Sequence, residues 1–146
     1  MNSRRRSPSD LGLELWDLVK DAGEDGMPRE TALDHMTPSQ FEVAKVWDRD
    51  NMCEKEHECF LYVLGQYLIS RDPQMSVLAL NREIELLYRR AVRLHRSAIA
   101  PLGEGGRLSP QLRVAHTALA GMIEAAAPLR HAGFSAAVVV RSGGGP

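Results

Sequence analysis

The sequence is short of cysteine, lysine and aromatic residues, and it has no long apolar run. Its two cysteines, Cys53 and Cys59, are too few for a disulfide framework and fit a reducing compartment where both stay thiols. No stretch approaches the roughly 20 apolar residues of a membrane span. The opening MNSRRRSPSD is basic with no apolar segment behind it, so it does not read as a secretory signal. The expected location is intracellular, cytoplasmic or nuclear. Also missing are a glycine-rich phosphate loop, a nucleophile elbow and any paired histidine–carboxylate pattern, and His35, His57, His95, His116 and His131 are scattered singly. The expectation is a protein that is not an enzyme.

What is present is ordinary in bulk and uneven in layout. With 146 residues, 44% of them hydrophobic and 25% charged, the chain is long enough to bury a core without metal or disulfides. The net charge of −1 hides an asymmetry about Asp72 and Pro73. Residues 7–72 carry 6 basic and 15 acidic side chains, residues 73–146 carry 9 and 4, and Arg4, Arg5 and Arg6 add three positive charges. Halves of opposite sign favour docking within the chain or association with a second copy.

Four times a capping residue precedes a proline: Ser7-Pro8, Thr37-Pro38, Asp72-Pro73 and Ser109-Pro110. Each predicts a helix start, because the cap accepts a hydrogen bond from an orphan N–H and proline at the first helical position gives up a donor that would be unpaired anyway. Asp10 and Gln40, three residues past their caps, complete capping boxes. Leu11, Leu15, Leu18, Val19 and Ala22 place a first helix over about 8–22, and residues 29–36 add a short helical piece. From Pro38 to Ser70 there is no proline and a single glycine, so one long helix, or two broken near DRDN, is expected, with Cys53, His57, Phe60, Leu61, Leu64 and Leu68 on a buried stripe. Val77, Leu80, Ile84, Leu87, Ala91, Leu94 and Ala98 then alternate steps of three and four over three heptads. Leu78, Leu86, Val92 and Ile99 widen that face, which suits a central bundle helix. PLGEGGRLSP is a flexible connector, and Leu112, Ala115, Leu119, Met122 and Ala126 mark a last helix limited by Pro128. The fold expected is an all-α, single-domain bundle of four or five helices with flexible termini: a basic tail over 1–7, the bundle over 8–131 and a C-terminal tail over 132–146. Its core should include Leu15, Leu18, Phe41, Phe60, Leu64, Ile84, Leu87, Leu94, Leu119 and Ile123.

Residues 53–59, CEKEHEC, are the densest set of metal-type ligands. Zinc takes four ligands held tetrahedrally, and this segment offers three: Cys53, His57 and Cys59. On a helix Cys53 and His57 share a face while Cys59 points about 200° from His57. Convergence requires the helix to unwind over 53–59 and a fourth ligand, such as His35, to come from elsewhere. Glu54 and His57 form a single Glu-x-x-His, and di-iron bundles need that pattern twice. DAGEDG, Asp21 to Gly26, resembles the start of an EF-hand calcium loop, which would imply calcium held between two helices. It departs at the third place, Gly23, and at the twelfth, Ala32, where a bidentate glutamate should close the site.

Arg82, Arg89, Arg93 and Arg96, with Arg90 beside them, line one face of the heptad helix. That face is either solvated or a docking stripe for a protein or for nucleic-acid phosphate, and the excess of acid in residues 7–72 disfavours nucleic acid. Taken together, these features predict a small non-enzymatic helical interaction module, an adaptor or regulatory subunit. It would act through protein contacts, self-association among them, with no membrane span and no cofactor. The alternatives are a zinc-dependent protein built on Cys53 and His57, and a nucleic-acid-associated factor using the Arg82 to Arg96 stripe.

Overall fold

Each of the four cap–proline pairs does begin a helix. The computed structural model describes residues 5–103 and 109–142, with side chains through residue 129. Residues 1–4 of the basic tail, 104–108 of the glycine-rich connector and 143–146 of the C-terminal tail lie outside the described residues. The elements in order are α1 (Pro8–Ala22), a 3-10 turn (Gly23–Asp25), α2 (Arg29–Leu33), α3 (Pro38–Asn51), α4 (Cys53–Glu56), β1 (Cys59–Val63), β2 (Gln66–Ser70), α5 (Pro73–Ala98) and α6 (Pro110–Ser142). The Ser7 and Thr37 hydroxyls accept from the Asp10 and Gln40 N–H groups, and the Asp10 and Gln40 side chains accept in return from the cap N–H groups. α6 runs through Pro128 instead of stopping there. A proline inside a helix gives up one ladder hydrogen bond and crowds the carbonyl four residues earlier, a cost of about 3 kcal/mol that bends or breaks a helix and here does not end it.

The chain divides into two compact units, Met1–Ala79 and Leu80–Pro146. In the first, α1 crosses α3 at Gly12, where a Cβ would collide with Trp47 and stand 2.9 Å from Asp48 Oδ1. Only a residue without a side chain permits that approach. Leu11, Leu15, Trp16 and Val19 of α1, Phe41 and Ala44 of α3, and Met27, Met36, Met52, Phe60 and Tyr67 form one core.

The all-α expectation gives way to a predominantly helical fold with a small sheet. Of the two expectations for 38–70, one long helix or two segments broken near DRDN, the break does occur there, with α3 ending at Asn51, but no second long helix follows before Ser70. After Met52 and the single turn of α4, His57 turns left-handed at φ 53° and the Glu58 N–H reaches back to the Cys53 carbonyl, a Schellman-type stop. The chain then forms an antiparallel hairpin, Phe60 opposite Ile69 and Tyr62 opposite Tyr67. The Met27 N–H donates to the Tyr67 carbonyl at 2.6 Å and the Tyr67 N–H to the Met27 carbonyl at 2.8 Å, which ties β2 to the α1–α2 connection.

Both faces of the hairpin are covered. Phe60 and Tyr67 belong to the main core, with Tyr62 and Ile69 packed against it. Val63 and Leu68 form a second cluster with Ala79, Met75 and Leu78 from the start of α5. A strand buried on both sides is apolar at consecutive positions, so the alternation that marks a half-exposed strand is absent.

Candidate functional site

The metal-type cluster lies where its segment folds into a corner between α4 and β1. Helix α4 does end inside CEKEHEC, as convergence of the three ligands would require, yet Cys53 is half-buried against the core while His57 and Cys59 are exposed. Burial pushes the Cys53 thiol up, away from the thiolate that a metal needs. No group of three His, Cys, Asp or Glu side chains able to hold an ion occurs among the described residues. His35, the suggested fourth ligand, instead lies 3.6 Å from Glu14, and its carbonyl accepts from Arg6 at 3.1 Å. Arg6 is also ion-paired with Glu14, so this residue of the basic tail is fastened to α1. The corner itself is clamped by Glu58, 3.0 Å from Lys20 and 3.7 Å from Arg71.

The EF-hand-like stretch, Asp21 to Gly26, spans the end of α1 and the turn after it. Gly23–Asp25 is a 3-10 turn with Glu24 and Asp25 exposed, and the chain goes directly into the Met27 bridge.

All five arginines singled out in α5, Arg82, Arg89, Arg90, Arg93 and Arg96, are exposed. Arg89 is paired with Glu85 at 2.9 Å. The seam beside them is a correction: Leu80, Leu87 and Leu94, expected inside a bundle, are 56%, 64% and 44% exposed. The protected side of α5 is centred instead on Ala91, Val92 and His95. His95 Nε2 lies 3.0 Å from His116 Nδ1 of α6, so two histidines that look isolated in the sequence share a hydrogen bond.

The first unit offers a different kind of surface. α2 and α3, joined by residues 34–37, make a helix–turn–helix pair with the hairpin beside them. In nucleic-acid readers the second helix of such a pair enters the major groove. Here its outer face has Glu42, Val43, Val46 and Asp50 exposed. Its cations are engaged elsewhere: Lys45 Nζ sits 4.7 Å from the Phe41 ring centre and 2.9 Å from Glu42, and Arg49 lies 5.6 Å from the Phe60 ring centre. Val43 also lines a groove of about 450 Å³ whose other wall includes Pro8 and Leu11.

The hairpin tip carries the least expected residue. Leu64, assigned to the core from the sequence, is 82% exposed and left-handed at φ 51°, followed by Gly65 at φ 83°. Two positive φ values in a two-residue loop define a type I′ turn, whose favoured first residue is Asn, Asp or Gly. The signal available in advance was this spacing, two five-residue apolar runs, CFLYV and QYLIS, separated by LG.

Asp48 is fully buried in α3, and neither carboxylate oxygen has a hydrogen-bond partner among the described residues. Desolvation, with a smaller contribution from Asp17, pushes its pKa up to about 8. In the sequence it sits among the charged residues of WDRDN, with nothing local to mark it as buried. No helix among the described residues is long and apolar enough to cross a membrane. Comparison of the chain with family models, with curated proteins and with solved structures finds no match.

Proposed function

We propose that the protein is a non-enzymatic interaction module that holds a protein partner through its first unit, with the hairpin tip as a contact point. The observation that carries this reading is Leu64. A leucine at φ 51° costs roughly 1–2 kcal/mol in backbone strain, and leaving it 82% exposed gains nothing from burial. Asn at the same place would relieve both penalties. Strain kept at an exposed site is what a contact residue shows and a purely structural turn does not.

The partner's chemistry follows from the surroundings. Val43 and Val46 give α3 an apolar outer face, Glu42 and Asp50 border it, and residues 7–72 carry nine more negative than positive charges. This suits an apolar segment flanked by basic side chains and repels phosphate. Lys45 and Arg49, the cations a nucleic-acid-reading α3 would use, lie over aromatic rings of the unit's own core. A metal-dependent role through Cys53 and His57 has no comparable support, since the two side chains face different surroundings.

The test uses a photo-crosslinking amino acid at position 64 of the full chain, expressed in its native source. A discrete protein adduct is expected, competed away by added unlabelled protein. Leu64→Asn should fold with about 1 kcal/mol more stability and yet fail to compete. Adducts to nucleic acid, equal competition by Leu64→Asn, or measurable turnover abolished by a single side-chain change would each overturn the reading.

A further inference from the structure

We propose that the exposed Leu80, Leu87 and Leu94 row of α5 is a self-association interface, closed by an antiparallel second copy of this chain with Leu87 at the twofold axis. The inference does not depend on the role given to Leu64, because it rests on the second unit alone.

The three leucines repeat every seven residues and so lie along one line of the helix, spanning about 21 Å at 1.5 Å per residue. They are 56%, 64% and 44% exposed, while the flank bearing Tyr88 and His95 is half-buried and His95 is bonded to His116. α6 therefore occupies one side of the row and leaves the row itself uncovered. A heptad line of leucines is complementary to a copy of itself, since each knob fits the hole of a like helix. A closed twofold pair needs no other partner.

The charges beside the row fix the direction. On the flank away from His95 lie Glu83 and Arg90, both exposed, and neither is in an ion pair among the described residues. In an antiparallel pair centred on Leu87, Leu80 meets Leu94 of the partner subunit, and like flanks face each other. Glu83 then stands within about one residue rise, 1.5 Å, of the level of the partner's Arg90. Symmetry repeats the contact, with Arg90 beside the partner's Glu83. A parallel pair sets the Glu83 and Arg90 flank against the partner's Tyr88 and His95 flank, which α6 already occupies, and the two charges find no complement. Pairing of both opposite charges is a property of the antiparallel register alone.

The experiment is analytical ultracentrifugation of the full chain with five variants, each checked for helix content by circular dichroism. Wild type should sediment with twice the chain mass of 16.2 kDa at concentrations of tens of micromolar or above. Leu87→Glu should give the monomer with helix content unchanged, because the side chain it replaces is mostly exposed. Glu83→Arg and Arg90→Glu should each weaken dimerisation about tenfold by placing like charges at both symmetry-related contacts. The double variant Glu83→Arg with Arg90→Glu should recover wild-type affinity. A wild type that stays monomeric at roughly 100 µM, a dimeric Leu87→Glu, or a double variant no better than either single one would overturn the proposal. Leu64→Asn should dimerise normally and Leu87→Glu should keep the Leu64-dependent adduct, so either idea can fail without the other.

Discussion

Burying a carboxylate without a partner costs far more than burying the neutral acid, so the folded chain holds Asp48 protonated up to about pH 8. In the unfolded chain the same group ionises near its ordinary value of 3.8. The sign follows from proton counting: between these two values the native state binds more protons than the unfolded state, and stability falls as pH rises. The contribution of Asp48 is most favourable below pH 3.8, declines from there to about pH 8 and is flat beyond. Asp48→Asn removes the ionisable group. It should flatten the pH dependence of the urea midpoint between pH 5 and 8 and stabilise the protein at pH 7 by at most about 4 kcal/mol. An unchanged pH profile would show that Asp48 does not titrate as its burial requires. Asp10 shows the opposite case, its carboxyl held low by hydrogen bonds from Ser7 at the helix cap.

At the level of elements, starts were more legible than continuations. Caps are local, so Ser7, Thr37, Asp72 and Ser109 announce their helices whatever the rest of the chain does. The segment after α3 shows the opposite. Its residues carry no proline and one glycine, and the choice between helix and hairpin was made by burial on both faces, against α1 and α3 on one side and the first turns of α5 on the other. His57, left-handed without being glycine, carries no sequence sign of that geometry, and Leu64 carries only the spacing of LG between two five-residue runs. The contact of α1 with α3 is a similar case. Gly12 lies inside a helix, where alanine would ordinarily add up to 1 kcal/mol. Here the added Cβ meets Trp47, and Gly12→Ala should instead destabilise by about 1–3 kcal/mol. Chemical unfolding of that variant, read by tryptophan fluorescence, gives the sign directly.

For the whole molecule, the division of charge and the division of structure nearly coincide. The charge boundary at Asp72 and Pro73 lies a few residues before the structural one at Ala79 and Leu80, and α5 runs through both. The acidic unit repels itself wherever its carboxylates are exposed, and salt screens that repulsion over about 10 Å at 0.1 M. Both tryptophans, Trp16 and Trp47, belong to this unit. Raising monovalent salt from about 20 to 300 mM should therefore raise the urea midpoint reported by their fluorescence. A midpoint that fell with salt would mean that pairs such as Lys20 with Glu58 outweigh the repulsion.

Sequence alone determined what is encoded within a few residues of itself: the four helix starts, the heptad line of α5, the uneven charge, and the first-unit core members Leu15, Phe41 and Phe60. Periodicity says that a face is apolar but not what covers it. That is why Leu80, Leu87 and Leu94, with a better repeat than any other stretch, were assigned to a core and stand in solvent. Tertiary structure decided which faces are covered, folded CEKEHEC as a corner between a helix and a strand, and placed Asp48 and Leu64 where neither residue is comfortable. The physical reason is that burial and strain depend on residues distant in sequence, whereas caps and repeats do not.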